Sequence, residues 1–377
     1  MFQAEYELLV SKGNSVSAFT RKSDEIRSQG TWGVIKGALA TPWNPWVAAS
    51  VRREVEVTKP DVVHVHNTFP LISPSIFSAI GKRAARVLTL HNYRLLCPAA
   101  IPMRAGQVCT QCLDQQSVFP SLKYGCYRDS RAATLPLAFN VALHRWLGTW
   151  RNEIDAFIVL SDFQKQLLEK AGLPEHKIHV KPNFHTAVPP VIPWTNRDDC
   201  VLFVGRLSAE KGVSSLIEAW RQWGSSAPLL RIIGDGPLRS DLELAAEGLP
   251  VEFLGQLPKS SAQEHIAKAK LLVLPSECFE TFGLVVVEAF AHGTPVAVSC
   301  IGALPSLVEA GVNGVVFPPA QPSMILESIR SVWGQPKIIE SMAQKSRVDF
   351  EKKYTCDVNY SILLDIYNSA IKESRRS

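Results

Sequence analysis

Two basic residues follow a short apolar run in the second half of the chain, where they could hold an anion. Residues 200–204 predict a strand, Gly205 permits a tight turn, and Arg206 and Lys211 precede a helix expected to begin near Val213. Free N–H groups at a helix N-terminus favour an anion, and two nearby cations can neutralise a diphosphate without a metal ion. Taken alone, these residues also fit an ordinary surface loop with solvated charges.

A second predicted strand ends in a glycine-rich turn of the same kind. The sequence GDGPL begins with Gly234, Asp235 and Gly236. Ligands of open α/β sheets bind outside the carboxyl ends of the strands, so this turn is a further candidate contact for the same ligand. Glycines are also common in such turns for steric reasons, which makes the turn weak evidence by itself.

Two glutamates follow the end of a third predicted strand. Glu280 precedes a helix predicted over residues 282–292, and Glu288 lies within that helix. Eight helical positions correspond to roughly 12 Å, whereas the carboxylate pairs of glycosidases are at most about 9.5 Å apart. The spacing therefore disfavours hydrolysis by two carboxylates, although a helix-cap acid and a surface acid would look the same. It favours two contacts along one extended ligand, with phosphate facing the N–H groups of Phe282, Gly283 and Leu284.

Apolar runs alternate with helical patterns along the 377 residues, and a hydrophobic content of 46% suffices for two cores. Continuous apolar strands belong to parallel sheets covered on both faces, so the predicted class is doubly wound α/β. A proline-rich stretch without periodicity marks a linker. We place an N-terminal domain at residues 1–187, the linker at 188–199, a ligand-binding domain at 200–349 and a helical segment at 350–377 that could pack on either domain.

The overall charge and hydropathy exclude some classes of protein. The net charge of +5 is spread along the chain, which argues against nucleic-acid binding. No stretch of about 18 uncharged apolar residues predicts a membrane-spanning helix. The N-terminus carries two glutamates where a signal peptide would carry basic residues, so we expect a cytoplasmic protein.

The N-terminus lacks the strand with which a doubly wound domain normally begins. Residues 4–12 predict a helix that ends at Gly13, and residues 16–19 predict a strand. The missing strand is central in the usual order, and its absence would leave a gap on the order of 10 Å between its neighbours. We therefore expect the native protein to carry roughly 15 to 20 further N-terminal residues.

The run from Val201 to about Pro319 resembles the retaining glycosyltransferases of family four. That family has FVGRL, a lysine soon after, a GxG turn and two glutamates separated by seven residues, and all four occur here in order. The sequences VVHVHN, LTLHNYRLLCP, IVLSDF and KPNF in the first half are similar to the family too. The resemblance implies the GT-B fold, in which two Rossmann-like doubly wound domains face a central cleft.

The resemblance also implies roles for the residues described above. Arg206 and Lys211 would bind the donor diphosphate, Glu280 the hydroxyls of the donor sugar and Glu288 the nucleotide ribose. His91 would lie near the transferred sugar, although a histidine after a strand is otherwise more often structural. The full set of expected donor contacts is Gly205, Arg206, Lys211, Gly234, Asp235, Gly236, Phe282, Gly283, Leu284 and Glu288. In the sequence IGALPSLVE, Ala303 stands where the family usually has a second glycine.

These roles imply transfer of a sugar, with retention, from a nucleotide-diphosphate donor to a hydroxyl of a glycan or lipid-linked acceptor. No DxD motif follows a strand in a suitable context, so we expect no requirement for a divalent ion. Three alternatives stay open: an inactive GT-B-like protein that binds nucleotide sugars, an epimerase and a phosphorylase.

Two further features stand outside this scheme. Cys97, Cys109, Cys112 and Cys126 have the spacing C-x₁₁-C-x₂-C-x₁₃-C in an insert over 97–126, which suits either a structural zinc site or free thiols. Residues 131–151 combine apolar, basic and Trp residues. This mixture suits contact with a lipid-linked acceptor or the inner face of a membrane, but ordinary helix packing explains the same apolar positions.

Overall fold

The computed structural model describes residues 1–21 and 30–376. The chain divides into two units, each with its own parallel sheet. The first comprises Met1–Arg104, Cys109–Pro182 and Tyr360–Ser377, and the second comprises Ala105–Val108 and Asn183–Asn359. The predicted first domain ends at residue 187, whereas this division falls after Pro182. The His185 N–H donates to the carbonyl of Tyr354, which ties this part of the chain to the second unit.

The described elements from the N-terminus to Val180 are, in chain order, α1 (Phe2–Ser11), α2 (Gly30–Ala40), α3 (Pro45–Thr58), β1 (Val62–Val65), α4 (Ser75–Ile80), β2 (Ala85–Thr89), β3 (Met103–Arg104), β4 (Gln107–Val108), α5 (Gln111–Asp114), α6 (Phe119–Tyr124), α7 (Arg131–Trp146), α8 (Thr149–Asn152), β5 (Ala156–Val159), α9 (Asp162–Lys170) and β6 (Ile178–Val180). The main sheet of the first unit is parallel, in the order β1-β2-β5-β6. Every residue of β2 and β5 is buried, as expected for strands covered on both faces.

The predicted N-terminal helix is present as α1, and the chain turns at Gly13 with a φ of 82°. The strand predicted over residues 16–19 does not form, because these residues have no regular structure. An extended segment becomes a strand only when a neighbour completes its hydrogen bonds, and no described ladder includes them. Within the described residues, β1 has a single neighbour in the sheet, β2.

The remaining elements are β7 (Asp198–Val204), α10 (Val213–Trp223), β8 (Leu229–Ile233), α11 (Arg239–Ala245), β9 (Val251–Gly255), α12 (Lys259–Lys268), β10 (Ala269–Leu274), α13 (Leu284–Ala291), β11 (Val296–Ser299), α14 (Leu304–Leu307), β12 (Gly314–Phe317), α15 (Pro322–Trp333), α16 (Pro336–Lys353) and α17 (Cys356–Arg376). The first residues of β7 belong to the stretch predicted as linker, because Asp198 pairs with Ala269 in the sheet. Helix α13 begins two residues after the predicted start, because Gly283 has a φ of 92° and caps it.

The end of α17 packs on the sheet of the first unit. Leu363, Ile366 and Ala370 recur at the spacing of one helical face and are buried. They share a core with residues of β2 and β5, namely Ala85, Val87, Ala156 and Ile158. Burying each aliphatic side chain contributes about 1.5–3 kcal/mol, so this contact ties the last helix firmly to the unit.

The second unit has a six-stranded parallel sheet in the order β12-β11-β10-β7-β8-β9. Helix α10 covers it with the fully buried Trp220, which shares a core with Phe203 of β7. Strands β7, β8 and β10 are adjacent, and Leu202 of β7 lies beside Leu272 of β10. Because neighbouring parallel strands end at the same edge, the loops after these three strands lie together.

Candidate functional site

The loops after β7 and β8 are joined by backbone hydrogen bonds. The Leu207 N–H donates to the Asp235 carbonyl at 3.0 Å, and the Leu238 N–H donates to the Leu207 carbonyl at 3.1 Å. A Cβ on Gly234 would lie 1.8 Å from the Gly205 carbonyl oxygen, and one on Gly236 would lie 2.3 Å from that of Leu207. Glycine is therefore required at these positions of the turn because the two loops approach so closely that a side chain would not fit.

A third glycine brings Lys211 against the loop after β10. Gly212 has a φ of 67° and caps α10, and a Cβ there would lie 2.0 Å from the Pro275 carbonyl oxygen. The adjoining 3-10 turn Ala209–Lys211 is tied to the same loop, because the Glu277 N–H donates to the Glu210 carbonyl at 2.9 Å. The backbone therefore holds Lys211 beside the carboxyl end of β10.

Lys211 donates to Glu280, with 2.6 Å between Nζ and Oε1. The Ser276 hydroxyl donates to the same carboxylate oxygen at 2.7 Å. Burial lowers the pKa of Lys211, but the charge and hydrogen bond of Glu280 outweigh burial and leave the pKa raised. Lys211 is therefore cationic at neutral pH. Both residues were predicted from the sequence to lie in the site, but their pairing was not predicted.

The loop after β11 supports the backbone of Glu280. The Ala303 N–H donates to the Glu280 carbonyl at 3.2 Å. Gly302 has a φ of 60°, and a Cβ there would lie 2.9 Å from the Glu280 nitrogen. Ala303 has a φ of −79°, so its backbone conformation does not require the glycine that the family usually has there.

Arg206 and Asp235 lie on the exposed side of the joined loops. Among the described residues, the Arg206 guanidinium has no hydrogen-bond or ion-pair partner. The Asp235 carboxylate accepts a hydrogen bond from the Gly236 N–H at 2.7 Å. Arg206 is therefore a second cation at this edge that is available to an anionic ligand.

The predicted phosphate-facing residues lie at the start of α13. Leu284 is its first residue, and the first N–H groups of a helix have no partner within the helix. Phe282 is buried and packs against Tyr354. Burial raises the pKa of Glu288, and this outweighs the lowering by the Lys259 ammonium group 4.0 Å away.

His91 belongs to a partly buried polar cluster in the first unit. His91 Nε2 lies 3.0 Å from His66 Nδ1, and His66 Nε2 lies 3.1 Å from Glu5 Oε2. Lys181 forms an ion pair with the other oxygen of Glu5. Burial, followed by the nearby His66, lowers the pKa of His91 to about 4. His91 is therefore a neutral imidazole at pH 7.

The partners of His91 were not predicted from the sequence. The sequence HVH could have predicted part of this cluster. Residues two apart on a strand point to the same face, as His64 and His66 do. Among the described residues, His64, His66 and Glu5 form the one group whose ligand atoms lie close enough to hold a metal ion. The nitrogens of His64 already contact Tyr367 and Thr89, and Lys181 supplies a cation to Glu5, so we interpret the group as a hydrogen-bond network.

Two family models together match nearly the whole chain. Residues 6–185 match the model described as Glycosyltransferase Family 4. Residues 187–349 match the model described as Glycosyl transferases group 1. The two models meet at residue 186, close to the division between the two units.

The relatives with curated names match mainly over part of their length. An uncharacterized glycosyltransferase of Methanocaldococcus jannaschii is 34% identical over 181 residues, which are 46% of this chain and 45% of that protein. The alpha-D-kanosaminyltransferase of Streptomyces kanamyceticus is 32% identical over 179 residues, which are 44% of this chain and 45% of that protein. The matches thus span less than half the length of these relatives.

A solved structure is similar over almost the whole chain. The Anabaena protein HepE, crystallised in complex with UDP, matches with a TM-score of 0.63 and 18% identity, over 97% of this chain and 89% of that one. The likeness confirms the predicted GT-B fold.

Proposed function

We propose that this chain, which belongs to glycosyltransferase family 4, transfers a sugar from a nucleotide-diphosphate sugar to an acceptor hydroxyl with retention of configuration. The observation that carries the proposal is the Lys211–Glu280 pair at the loop edge of the second sheet. It places a cation suited to a phosphate beside a carboxylate suited to sugar hydroxyls. Arg206 on the adjoining loop adds a second cation.

The charges at this edge suit the departure of the nucleoside diphosphate. When the bond between the anomeric carbon and the phosphate oxygen breaks, its electron pair stays with the diphosphate. Fixed cations lower the energy of that developing charge, which is commonly the largest contribution to catalysis. The acceptor oxygen forms the new bond on the same face of the sugar, and its proton leaves with the diphosphate. No step needs a divalent ion, so turnover should persist when Mg²⁺ and Mn²⁺ are omitted.

Three further contacts complete the proposed site. Glu288 on α13 would accept hydrogen bonds from the ribose, and the N–H groups of Gly283 and Leu284 would face phosphate. His91, neutral at pH 7, would contact the transferred sugar, held in orientation by His66. UDP is the first nucleotide to test, because the similar HepE was crystallised with it.

One face of α7 supports a lipid-linked acceptor at the inner membrane surface. Leu135, Phe139 and Trp146 lie on that face and are 56%, 55% and 82% exposed. Arg131 is on the same face and suits anionic headgroups. The opposite face is buried and includes His144, which bonds to the Pro42 carbonyl at 2.8 Å. None of the helices within residues 1–21 and 30–376 has the length and apolarity needed to cross a bilayer.

Co-sedimentation with vesicles tests this contact. Vesicles of phosphatidylglycerol and phosphatidylethanolamine should retain the wild-type protein and release a Phe139→Ser, Trp146→Ser variant. Val57→Ser is the matched control, because Val57 is 76% exposed on another helix. Equal retention of all three proteins, or of none, would show that α7 makes no membrane contact.

Product analysis tests the transfer reaction itself. The protein is incubated with UDP-, GDP- and ADP-sugars, with and without a cell-envelope lipid extract as acceptor, and the products are followed by NMR. We expect a new glycoside with the anomeric configuration of the donor. An epimerised donor, a sugar phosphate formed with inorganic phosphate, or nucleotide binding without turnover would each replace the proposal with one of its alternatives.

A further inference from the structure

Four cysteines converge in the first unit although they are spread over residues 97–126. Cys97 follows a turn in which its N–H donates to the Tyr93 carbonyl, Cys109 follows the hairpin of β3 and β4, Cys112 lies in α5 and Cys126 follows α6. Each pair of these four thiols is close enough to interact electrostatically. The fold thus gathers all the cysteines of this segment at one place.

The segment that carries them has little secondary structure of its own. Strands β3 and β4 are two residues each, α5 has four residues and α6 has six. Long connections of this kind are uncommon in compact domains unless something holds them together. The four cysteines are free, so no disulfide does so.

Arginines surround the cluster. Arg94 interacts electrostatically with Cys97, Arg145 interacts with Cys112, and Arg104 interacts with Cys126 and hydrogen-bonds to Cys109. The Arg104 guanidinium is held over the ring of Tyr124, 3.8 Å from its centroid. Four thiolates around one divalent ion carry a net charge of −2, which these arginines would offset.

We propose that Cys97, Cys109, Cys112 and Cys126 bind one Zn²⁺ ion in a structural site. The CxxC pair after a hairpin and two outlying cysteines supply four sulfur ligands, which leave no open position for catalysis. Zn–S bonds of about 2.3 Å in a tetrahedron place the sulfurs about 3.8 Å apart. Among the described residues, no three of these sulfurs all lie within 4.8 Å of one another, so binding would draw them together.

Metal binding would order the segment that contains the cysteines. The segment connects the loop after β2, which contains His91, to α7. A zinc ion would fix both ends of this connection, and none of its four ligands is a candidate donor residue. This site is therefore independent of the proposed transferase activity.

Metal analysis of the purified 377-residue chain tests the site. After dialysis against metal-free buffer, atomic emission should find about one equivalent of zinc in wild type and in a Cys300→Ser control, since Cys300 is exposed and outside the cluster. A Cys109→Ser, Cys112→Ser variant should lose the zinc. Less than about half an equivalent in wild-type protein, or full zinc in the double variant, would overturn the proposal.

A second measurement on the wild-type protein tests the site even if the double variant does not fold. Wild-type protein is stripped with a chelator, and Co²⁺ is added while the absorption spectrum is recorded. Four thiolate ligands should give an intense thiolate-to-cobalt charge-transfer band and tetrahedral d–d bands, which Zn²⁺ then abolishes. Absence of the charge-transfer band would exclude a four-cysteine site even if zinc copurifies.

Discussion

Lys211 and Glu280, 69 positions apart in the chain, form a hydrogen-bonded ion pair of 2.6 Å. Lys211 reaches this position because Gly212 lets the backbone approach Pro275, and Glu280 reaches it because Gly302 and Ala303 support its backbone. The pair is partly buried, with side-chain exposures of 25% and 15%. A cation held in this way is oriented before a ligand arrives, which is what electrostatic catalysis requires.

Replacing Lys211 by alanine should lower kcat by about 10²-fold or more, because one fixed charge on the leaving group is lost. Steady-state kinetics with the preferred donor measure the effect. Lys270→Ala is the matched control, since Lys270 pairs with Asp199 at the amino end of β10, away from the site. A near-normal kcat for Lys211→Ala would remove this residue from the mechanism.

Replacing Glu280 by glutamine should affect turnover without weakening the binding of the nucleoside diphosphate. The amide cannot balance the charge of Lys211 or accept as strongly from sugar hydroxyls, whereas Lys211 remains to bind phosphate. We expect affinity for the nucleoside diphosphate to be retained or increased, and turnover to fall by about 10²-fold or more. Calorimetry measures the nucleotide affinity and steady-state kinetics measure the turnover of the same preparations. A parallel loss of affinity and turnover would show that Glu280 has a purely structural role.

Gly302→Ala should destabilise the fold more than Gly311→Ala. Both glycines have positive φ, of 60° and 81°, which costs a substituted residue about 1–2 kcal/mol. A Cβ at Gly311 would meet nothing within 4 Å, whereas one at Gly302 would press on the Glu280 backbone at 2.9 Å. Urea unfolding should therefore show a larger loss for Gly302→Ala, with reduced turnover. Equal losses for the two variants would contradict the support that we assign to this loop.

The low pKa of His91 predicts a specific loss of stability in acid. The folded protein holds this imidazole neutral with a pKa of about 4, compared with the ordinary value of 6.5. Between these values the unfolded chain binds a proton that the folded chain does not, so stability falls as pH falls through this window. His91→Gln should therefore lose less stability than wild type between pH 7 and pH 4.5. Urea midpoints at both pH values measure this, and parallel losses would show that His91 titrates normally.

The sequence predicted the strands and the loop edge well, because short continuous apolar runs mark buried parallel strands without tertiary information. Such runs correspond to β1, β2, β5, β7, β8 and β10. The prediction of a strand over residues 16–19 was wrong, because β-propensity alone does not provide the neighbouring strand that a β-strand needs for its hydrogen bonds. Helix α13 began later than expected, because the left-handed conformation of Gly283 ends the preceding loop.

The pairings within the candidate sites could not be predicted in the same way. Nothing in the local spacing of Lys211 and Glu280, or of Glu5 and Lys181, says that they meet. Such contacts depend on sheet order and on how closely backbones approach at glycines. The glycines at 212, 234 and 236 were visible in the sequence, but the atoms that a Cβ would strike were not.

Nucleotide titration tests the central claim most directly. UDP, GDP and ADP are titrated by calorimetry into wild type, the Arg206→Ala, Lys211→Ala double variant and the Lys270→Ala control. Two charge-assisted contacts of about 1.5 kcal/mol each predict a loss of roughly 100-fold in affinity for the best nucleotide in the double variant alone. Equal affinity in all three proteins, or no binding by wild type, would contradict the assignment of a diphosphate to this edge of the sheet.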